Sequence, residues 1–200
     1  MLSTYFFLVV SAGLEEDVAA CPPLPDYGAY FQELPSLGRR LRICCPCVGI
    51  DGCGHALQAM QCPSDMHNVY DLEESYREAL LHHFQEMGME VVHLNLGKVA
   101  GNVLNVALEN LVKPIDFLIA GPPCPPWAGQ GKRGGCKDKR AHVFVQVIKW
   151  VAYLIATGGL LGCILENVVG TTHLTHDGRE SASEKFVNAL RKHGHGRKSG

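Results

Sequence analysis

The sequence holds no apolar run long enough to cross a bilayer. Its first apolar stretch, residues 5–10, falls far short of the roughly twenty residues that a membrane helix needs. No Lys or Arg precedes that stretch, which argues against a secretory signal. Net charge is nearly absent too: 18 Lys and Arg face 20 Asp and Glu, so the whole-chain balance makes no case for nucleic acid. Low-complexity tracts and internal repeats are missing, as are the pairs of C-x-x-C spacings that structural zinc sites prefer. What is present is a 200-residue chain, 46% hydrophobic, enough for one domain with a real core and too short for two ordinary ones. Its nine cysteines are an odd number without the spacing of a secreted disulfide framework, and they point to a reducing compartment.

Pro22, Pro23, Pro25 and Pro35, with turns at Gly28 and Gly38, mark residues 1–38 as a poorly defined leader ahead of a domain over residues 39–200. Within that domain strand and helix patterns alternate. Strands are predicted at residues 41–47, 67–72, 90–96, 115–120 and 160–165. Helices are predicted at 55–62, 74–87, 99–112, 141–157 and 182–193. In the second helix Tyr76, Leu80, Leu81, Phe84 and Met87 recur near a 3.6-residue period, and Gly88 stops it. This alternation is the order of an α/β fold with a doubly wound parallel sheet. Ligands of such sheets bind beyond the carboxyl ends of the strands, where Gly49, Asp71, Asn95, Cys124 and Glu166 all fall.

The turn Gly49-Ile50-Asp51-Gly52-Cys53-Gly54 follows the first strand and opens the first helix. Glycines there let the backbone approach a ligand closely. Asp71 closes the second strand twenty-two residues after Gly49, the spacing at which this fold places a ribose-binding acid. A plain strand-to-helix turn with a solvated Asp71 is the alternative. NAD and S-adenosylmethionine both suit the layout. The turn is not a clean G-x-G-x-x-G, and a cofactor without phosphates relaxes that demand, which favours S-adenosylmethionine.

The other informative segment is Gly121-Pro122-Pro123-Cys124-Pro125-Pro126-Trp127, directly after the apolar run 115–120. Four prolines remove four amide donors and hold the backbone stiffly around one cysteine. Glu166-Asn167-Val168 ends the next apolar run. A thiolate and an acid at one edge of neighbouring strands are what addition to an aromatic ring requires. Lys132, Arg133, Lys137, Lys139 and Arg140 crowd the stretch after Cys124. Alone, such a run is a solvated loop; beside a nucleophile it suits phosphate contact.

These residues resemble the cytosine-5 DNA methyltransferases, whose catalytic motif reads G-P-P-C. Glu166-Asn167-Val168 matches the family's E-N-V, and Val48-Gly49-Ile50-Asp51-Gly52 is similar to its F-x-G-x-G-G motif. Asp138-Lys139-Arg140 is similar to its D-x-R. The resemblance spans roughly residues 39–170. It implies a class-I methyltransferase fold with S-adenosyl-L-methionine as cofactor, contacted by Val48, Gly49, Ile50, Gly52, Asp71, Leu72, Asn95, Pro122 and Asn167. It implies that Cys124 adds to carbon 6 of cytosine while Glu166 steadies ring N3, so that carbon 5 accepts a methyl group. The DNA base must be flipped out of the duplex. The basic residues 132–140 would close over the DNA backbone, helped by the glycines among them.

The departures are specific. Pro125 stands where the family has Gln, Cys47 replaces the Phe, and Asp51 replaces a Gly. No Gln-x-Arg-x-Arg segment, target-recognition region or later strands are found. The expectation is a fold incomplete at its carboxyl end, with one sheet edge unpaired and a protein partner completing it. Three other readings stay open: a cytosine-5 methyltransferase acting on RNA, an inactive cofactor-binding or scaffold module, and a metal site among Cys44, Cys45, Cys47, Cys53, Cys62, His55 and His67. Core packing is the plainer account of those cysteines. His82, His83, His173, His176, His193 and His195 read as exposed and without an obvious partner. A nuclear location follows for a eukaryotic source, a cytoplasmic one for a bacterial source, and no membrane is involved.

Overall fold

The computed structural model describes residues 5–11, 38–124, 126, 138–157, 160–168, 171 and 180–194, with the backbone alone for residues 5–11, 168 and 189–194. Six strands form one parallel sheet: β1 (Tyr5–Ser11), β2 (Leu41–Pro46), β3 (Ser64–Asp71), β4 (Leu94–Leu96), β5 (Phe117–Ala120) and β6 (Gly162–Val168). Their spatial order is β1-β6-β5-β2-β3-β4. Among the described residues α1 (Gly52–Ala59), α2 (Arg77–Glu86) and α3 (Ala141–Ala156) lie between strands, and α4 (Ala182–Gly194) follows β6.

Parallel strands covered on both faces have little use for polar alternation. In β2 the consecutive Ile43, Cys44 and Cys45 are all buried. Cys44 belongs to one core with Phe144, Val147, Trp150 and Leu154 of α3 and Phe186 of α4. Ile43 and Cys45 belong to the other, with Leu57 of α1 and Leu80 and Phe84 of α2. Two cores on opposite faces of one sheet make the doubly wound arrangement that the alternation of patterns predicts. Trp150 is fully buried and meets Tyr70 edge to face at 5.2 Å.

Helix α4 begins with a reciprocal cap that its sequence carries in Ser181 and Glu184. The Glu184 amide donates to Ser181 Oγ at 3.1 Å, and the Ser181 amide donates to Glu184 Oε2 at 2.7 Å. At the amino end of β2, Arg39 and Arg42 both bond in pairs to Asp116, at 2.7–3.0 Å. That clamp ties the start of the domain to the strand carrying the cysteine loop.

Three expectations are corrected. Residues 99–112 do not form a helix; they form two 3₁₀ turns, Val103–Asn105 and Leu108–Asn110, joined by extended backbone. The Asn102 side chain accepts from the Leu104 amide and so competes with helical pairing, and β-branched valines weaken a helix further. The strand expected at 90–96 shrinks to Leu94–Leu96, with one isolated bridge between Met66 and Val91. The outer edge of β6 is not left unpaired, because β1 lies along it in register from Tyr5 opposite Gly162 to Ser11 opposite Val168. The apolar run 5–10, read as part of a leader, is that strand.

Candidate active site

At the carboxyl ends of β2, β3 and β4, backbone and side chains lock a single rim together. The Val48 amide donates to the Tyr70 carbonyl at 3.1 Å. The Gly49 amide donates to Asp71 Oδ2 at 2.9 Å, and the Glu73 amide to Asp71 Oδ1 at 3.0 Å. The Gly97 amide donates to the Asp71 carbonyl at 2.9 Å. Asp71 is therefore half-buried and holds the glycine turn, in place of the solvated side chain of the plain-turn alternative.

The turn is sharply wound. Cys47, Gly49 and Asp51 all have left-handed backbones, with φ of 60°, 57° and 68°. Only one of the three is the glycine that such torsions favour. Asp51 compensates by capping α1: its Oδ1 accepts from the Gly54 amide at 2.9 Å and from Cys53 Sγ at 3.3 Å. The Asp51 side chain is fully buried and its Oδ2 has no partner among the described residues. Burial pushes its carboxyl pKa up, against the pull of the Gly54 and Cys53 bonds. Gly54 is required here because a β-carbon on it would land on Asp51 Oδ2.

Asp51 points inward, so the face of the turn stays open. A β-carbon at Gly49 or Gly52 would meet nothing within 4 Å. Ile50 and Leu72 stand at this rim as exposed apolar side chains, 75% and 53% accessible. Gly101 closes the rim from behind. A β-carbon there would run into the carbonyl oxygens of Asp71 and Asn95. Asn95, in β4, stands opposite Tyr70 of β3. An open glycine turn, a ring of strand-end carbonyls and two exposed apolar walls fit a nucleoside-bearing cofactor without phosphates.

The second half of the site lies where β5 and β6 end. Ala120 pairs with Leu165, so residues 121 and 166 emerge side by side. Glu166 is exposed, and its Oε2 lies against Gly121. Asn167 is buried and donates from Nδ2 to the Pro122 carbonyl at 3.1 Å. This bond fastens the proline loop to the neighbouring strand two residues before the half-buried Cys124. Arg140 precedes α3 and forms a two-pronged pair with Asp138, at 3.0 and 2.6 Å. The hydrogen bonds to Asp138 hold its guanidinium charged, and negative charge at Cys124 adds to that.

Among the basic residues expected at a phosphate backbone, Lys139 and Arg140 are exposed. Lys132, Arg133 and Lys137 lie outside the described residues, as do Pro125 and Trp127. No group of three or more His, Cys, Asp or Glu placed to hold a metal occurs among the described residues. Two of the histidines read as unpartnered have partners: His82 lies 3.5 Å from Glu86, and His83 packs against His55 with ring centroids 3.9 Å apart. His173, His176 and His195 and the side chain of His193 lie outside the described residues. Among the described residues no helix is long and apolar enough to cross a membrane. The supporting glycines Gly54 and Gly101 and the Asn167–Pro122 bond escape sequence reasoning. Gly101 and the Asn167–Pro122 bond depend on contacts between segments that nothing local encodes, and Gly54 depends on the inward turn of Asp51.

A parallel doubly wound sheet with an open glycine turn at one strand end and a proline-held cysteine at another defines a Rossmann-like α/β methyltransferase. The family model for C-5 cytosine-specific DNA methylases matches residues 49–198, which is 150 of the 200 residues. The chain belongs to that family, whose members methylate cytosine in DNA using S-adenosyl-L-methionine. No curated protein sequence matches the chain significantly.

Proposed function

We propose that this chain transfers a methyl group from S-adenosyl-L-methionine to carbon 5 of cytosine in DNA, with Cys124 as nucleophile and Glu166 as the acid beside it. One observation carries the reading: the Asn167–Pro122 bond and the seat of the Glu166 carboxylate against Gly121 gather both groups at the ends of two paired strands. The bound cofactor would supply an electrophilic methyl group on a sulfonium. It would lie along Val48, Gly49, Ile50 and Gly52, with Asp71, Leu72 and Asn95 at its nucleoside end and Pro122 and Asn167 at the substrate side.

The Cys124 thiolate adds to carbon 6 of the pyrimidine and makes carbon 5 nucleophilic. Glu166 holds or protonates N3 and so stabilises the charge that the addition creates. Once carbon 5 is methylated, loss of its proton expels Cys124 and restores the ring. The base reaches Cys124 only when turned out of the helix, and Lys132, Arg133, Lys137, Lys139 and Arg140 contact the surrounding phosphates.

The test is covalent trapping with duplex DNA carrying a fluorinated cytosine. The expected result is a denaturation-resistant complex that Cys124→Ala does not form, and trapping by that variant overturns the assignment. RNA as substrate shares this chemistry; parallel assays with hemimethylated duplex and transfer RNA separate the two. The inactive-module reading rests on Asp51 and on the missing Gln-x-Arg-x-Arg segment; on the first point, the inward turn of the Asp51 side chain speaks for a usable cofactor face. Absence of S-adenosylhomocysteine binding by calorimetry would restore that reading.

A further inference from the structure

Cys45 and Cys53 lie with their sulfurs 3.0 Å apart. Cys45 is buried in β2, and Cys53 is half-buried in the first turn of α1. The segment between them is the whole left-handed turn, including Gly49 and Asp51. A thiol pair this close needs to approach by only about 1 Å more to reach the disulfide length of about 2.05 Å. We propose that Cys45 and Cys53 are an oxidation site, whose disulfide staples the glycine turn and weakens cofactor binding. The bond itself stands on the sulfur geometry alone; its effect on affinity rests on the cofactor reading above.

The chemistry needs a two-electron oxidant, and a hydroperoxide supplies it. The more accessible Cys53 attacks the peroxide oxygen and becomes a sulfenic acid, releasing one water when the peroxide is hydrogen peroxide. Cys45, already in contact, displaces the hydroxyl as a second water. Both S–H bonds break, one S–S bond forms, and the peroxide O–O bond is reduced with the two thiol protons. The hydrogen bond with Cys45, then burial and the neighbouring Asp51, push the Cys53 thiol up and keep it protonated, so the first step is slow and calls for sustained oxidant.

The consequence for the turn follows from its bonds. The Cys53 thiol donates to Asp51 Oδ1 at 3.3 Å, and that carboxylate is buried with its other oxygen unpartnered. Oxidation removes the thiol proton, so Asp51 keeps only the Gly54 amide. Drawing Cys53 toward β2 also moves Gly52, at the start of α1, while Asp71 still holds Gly49. The open face between Gly49 and Gly52 is thereby reshaped from within.

The experiment treats the reduced full chain with hydrogen peroxide, maps linked peptides without reductant, and titrates S-adenosylhomocysteine by calorimetry. The expected result is a peptide joining Cys45 to Cys53, affinity at least tenfold lower, and recovery with dithiothreitol. Cys45→Ala and Cys53→Ala should lose both the crosslink and the peroxide sensitivity. A map that shows no Cys45–Cys53 peptide overturns the site, and a crosslinked chain with unchanged affinity overturns its consequence. If the reduced chain does not bind S-adenosylhomocysteine, the cofactor reading fails, and the peptide map still decides the oxidation site.

Discussion

The Glu166 carboxylate occupies space that only a glycine at position 121 leaves free: its Oε2 lies 3.3 Å from where a β-carbon on Gly121 would stand. Gly121→Ala should push that oxygen by a few tenths of an ångström without breaking the fold. The expected outcome is a fall in the rate of methyl transfer of about tenfold to a hundredfold with melting temperature nearly unchanged. Steady-state kinetics beside a thermal melt check it, and an equal loss of stability would make Gly121 a packing residue.

Glu166→Gln keeps the shape and removes the acid. Single-turnover rates should fall by about 10²–10³-fold, while S-adenosylhomocysteine binding changes little. Equal loss of both would give Glu166 a structural role.

Gly101 is required by packing. Any side chain there meets the carbonyls of Asp71 and Asn95, both backbone atoms with nowhere to go. Gly101→Ala should cost about 3 kcal/mol, the upper end for an overpacked site, and lower the melting temperature by roughly 5–10 °C. A thermal unfolding curve decides this, and an unchanged midpoint would show that the rim is looser than its contacts suggest.

Acid should loosen the clamp at the amino end of β2. Burial alone would raise the Asp116 carboxyl, but the paired guanidinia of Arg39 and Arg42 overcome that and hold it well below the usual carboxylate range. A depressed folded-state pKa stabilises the protein fully above the unfolded value of about 3.9 and loses that contribution as pH falls below it. Asp116→Asn should cost about 2–3 kcal/mol at neutral pH and flatten the stability profile below about pH 4. Urea unfolding across that range tests the sign.

Arg140→Gln removes an exposed cation from the basic stretch after Cys124. Affinity for duplex DNA should fall by about twofold to fivefold, and added salt should shrink the difference. A binding curve insensitive to the substitution would take Arg140 off the phosphate backbone.

Much of the architecture is legible in the sequence because buried parallel strands and amphipathic helices write their periods locally. The runs 41–47 and 115–120 gave β2 and β5, and the repeat of Tyr76, Leu80 and Phe84 gave α2 with its preceding turn. Residues 99–112 misled because their apolar spacing mimics a helix, while Asn102 and the valines favour turns. The motif residues Gly49, Asp71, Cys124 and Glu166 stand at or just past the carboxyl-terminal parts of β2, β3, β5 and β6, where the pattern of strands puts them. What supports them was not legible. Asn167 reaches a carbonyl 45 residues away, and Asp51 solves a backbone problem by turning inward, where its position in the motif reads as a defect.

The pairing of β1 with β6 sets the order in which this molecule must be assembled. Strand β1 leaves the ribosome more than 150 residues ahead of its hydrogen-bonding partner, Gly162–Val168. Until that partner emerges, Tyr5-Phe6-Phe7-Leu8-Val9-Val10 waits with no charge and no proline to keep it from other chains. Closing so long a loop is slow. Yield in expression should therefore turn on how well a chaperone shields those few residues during synthesis, more than on any contact in the finished core.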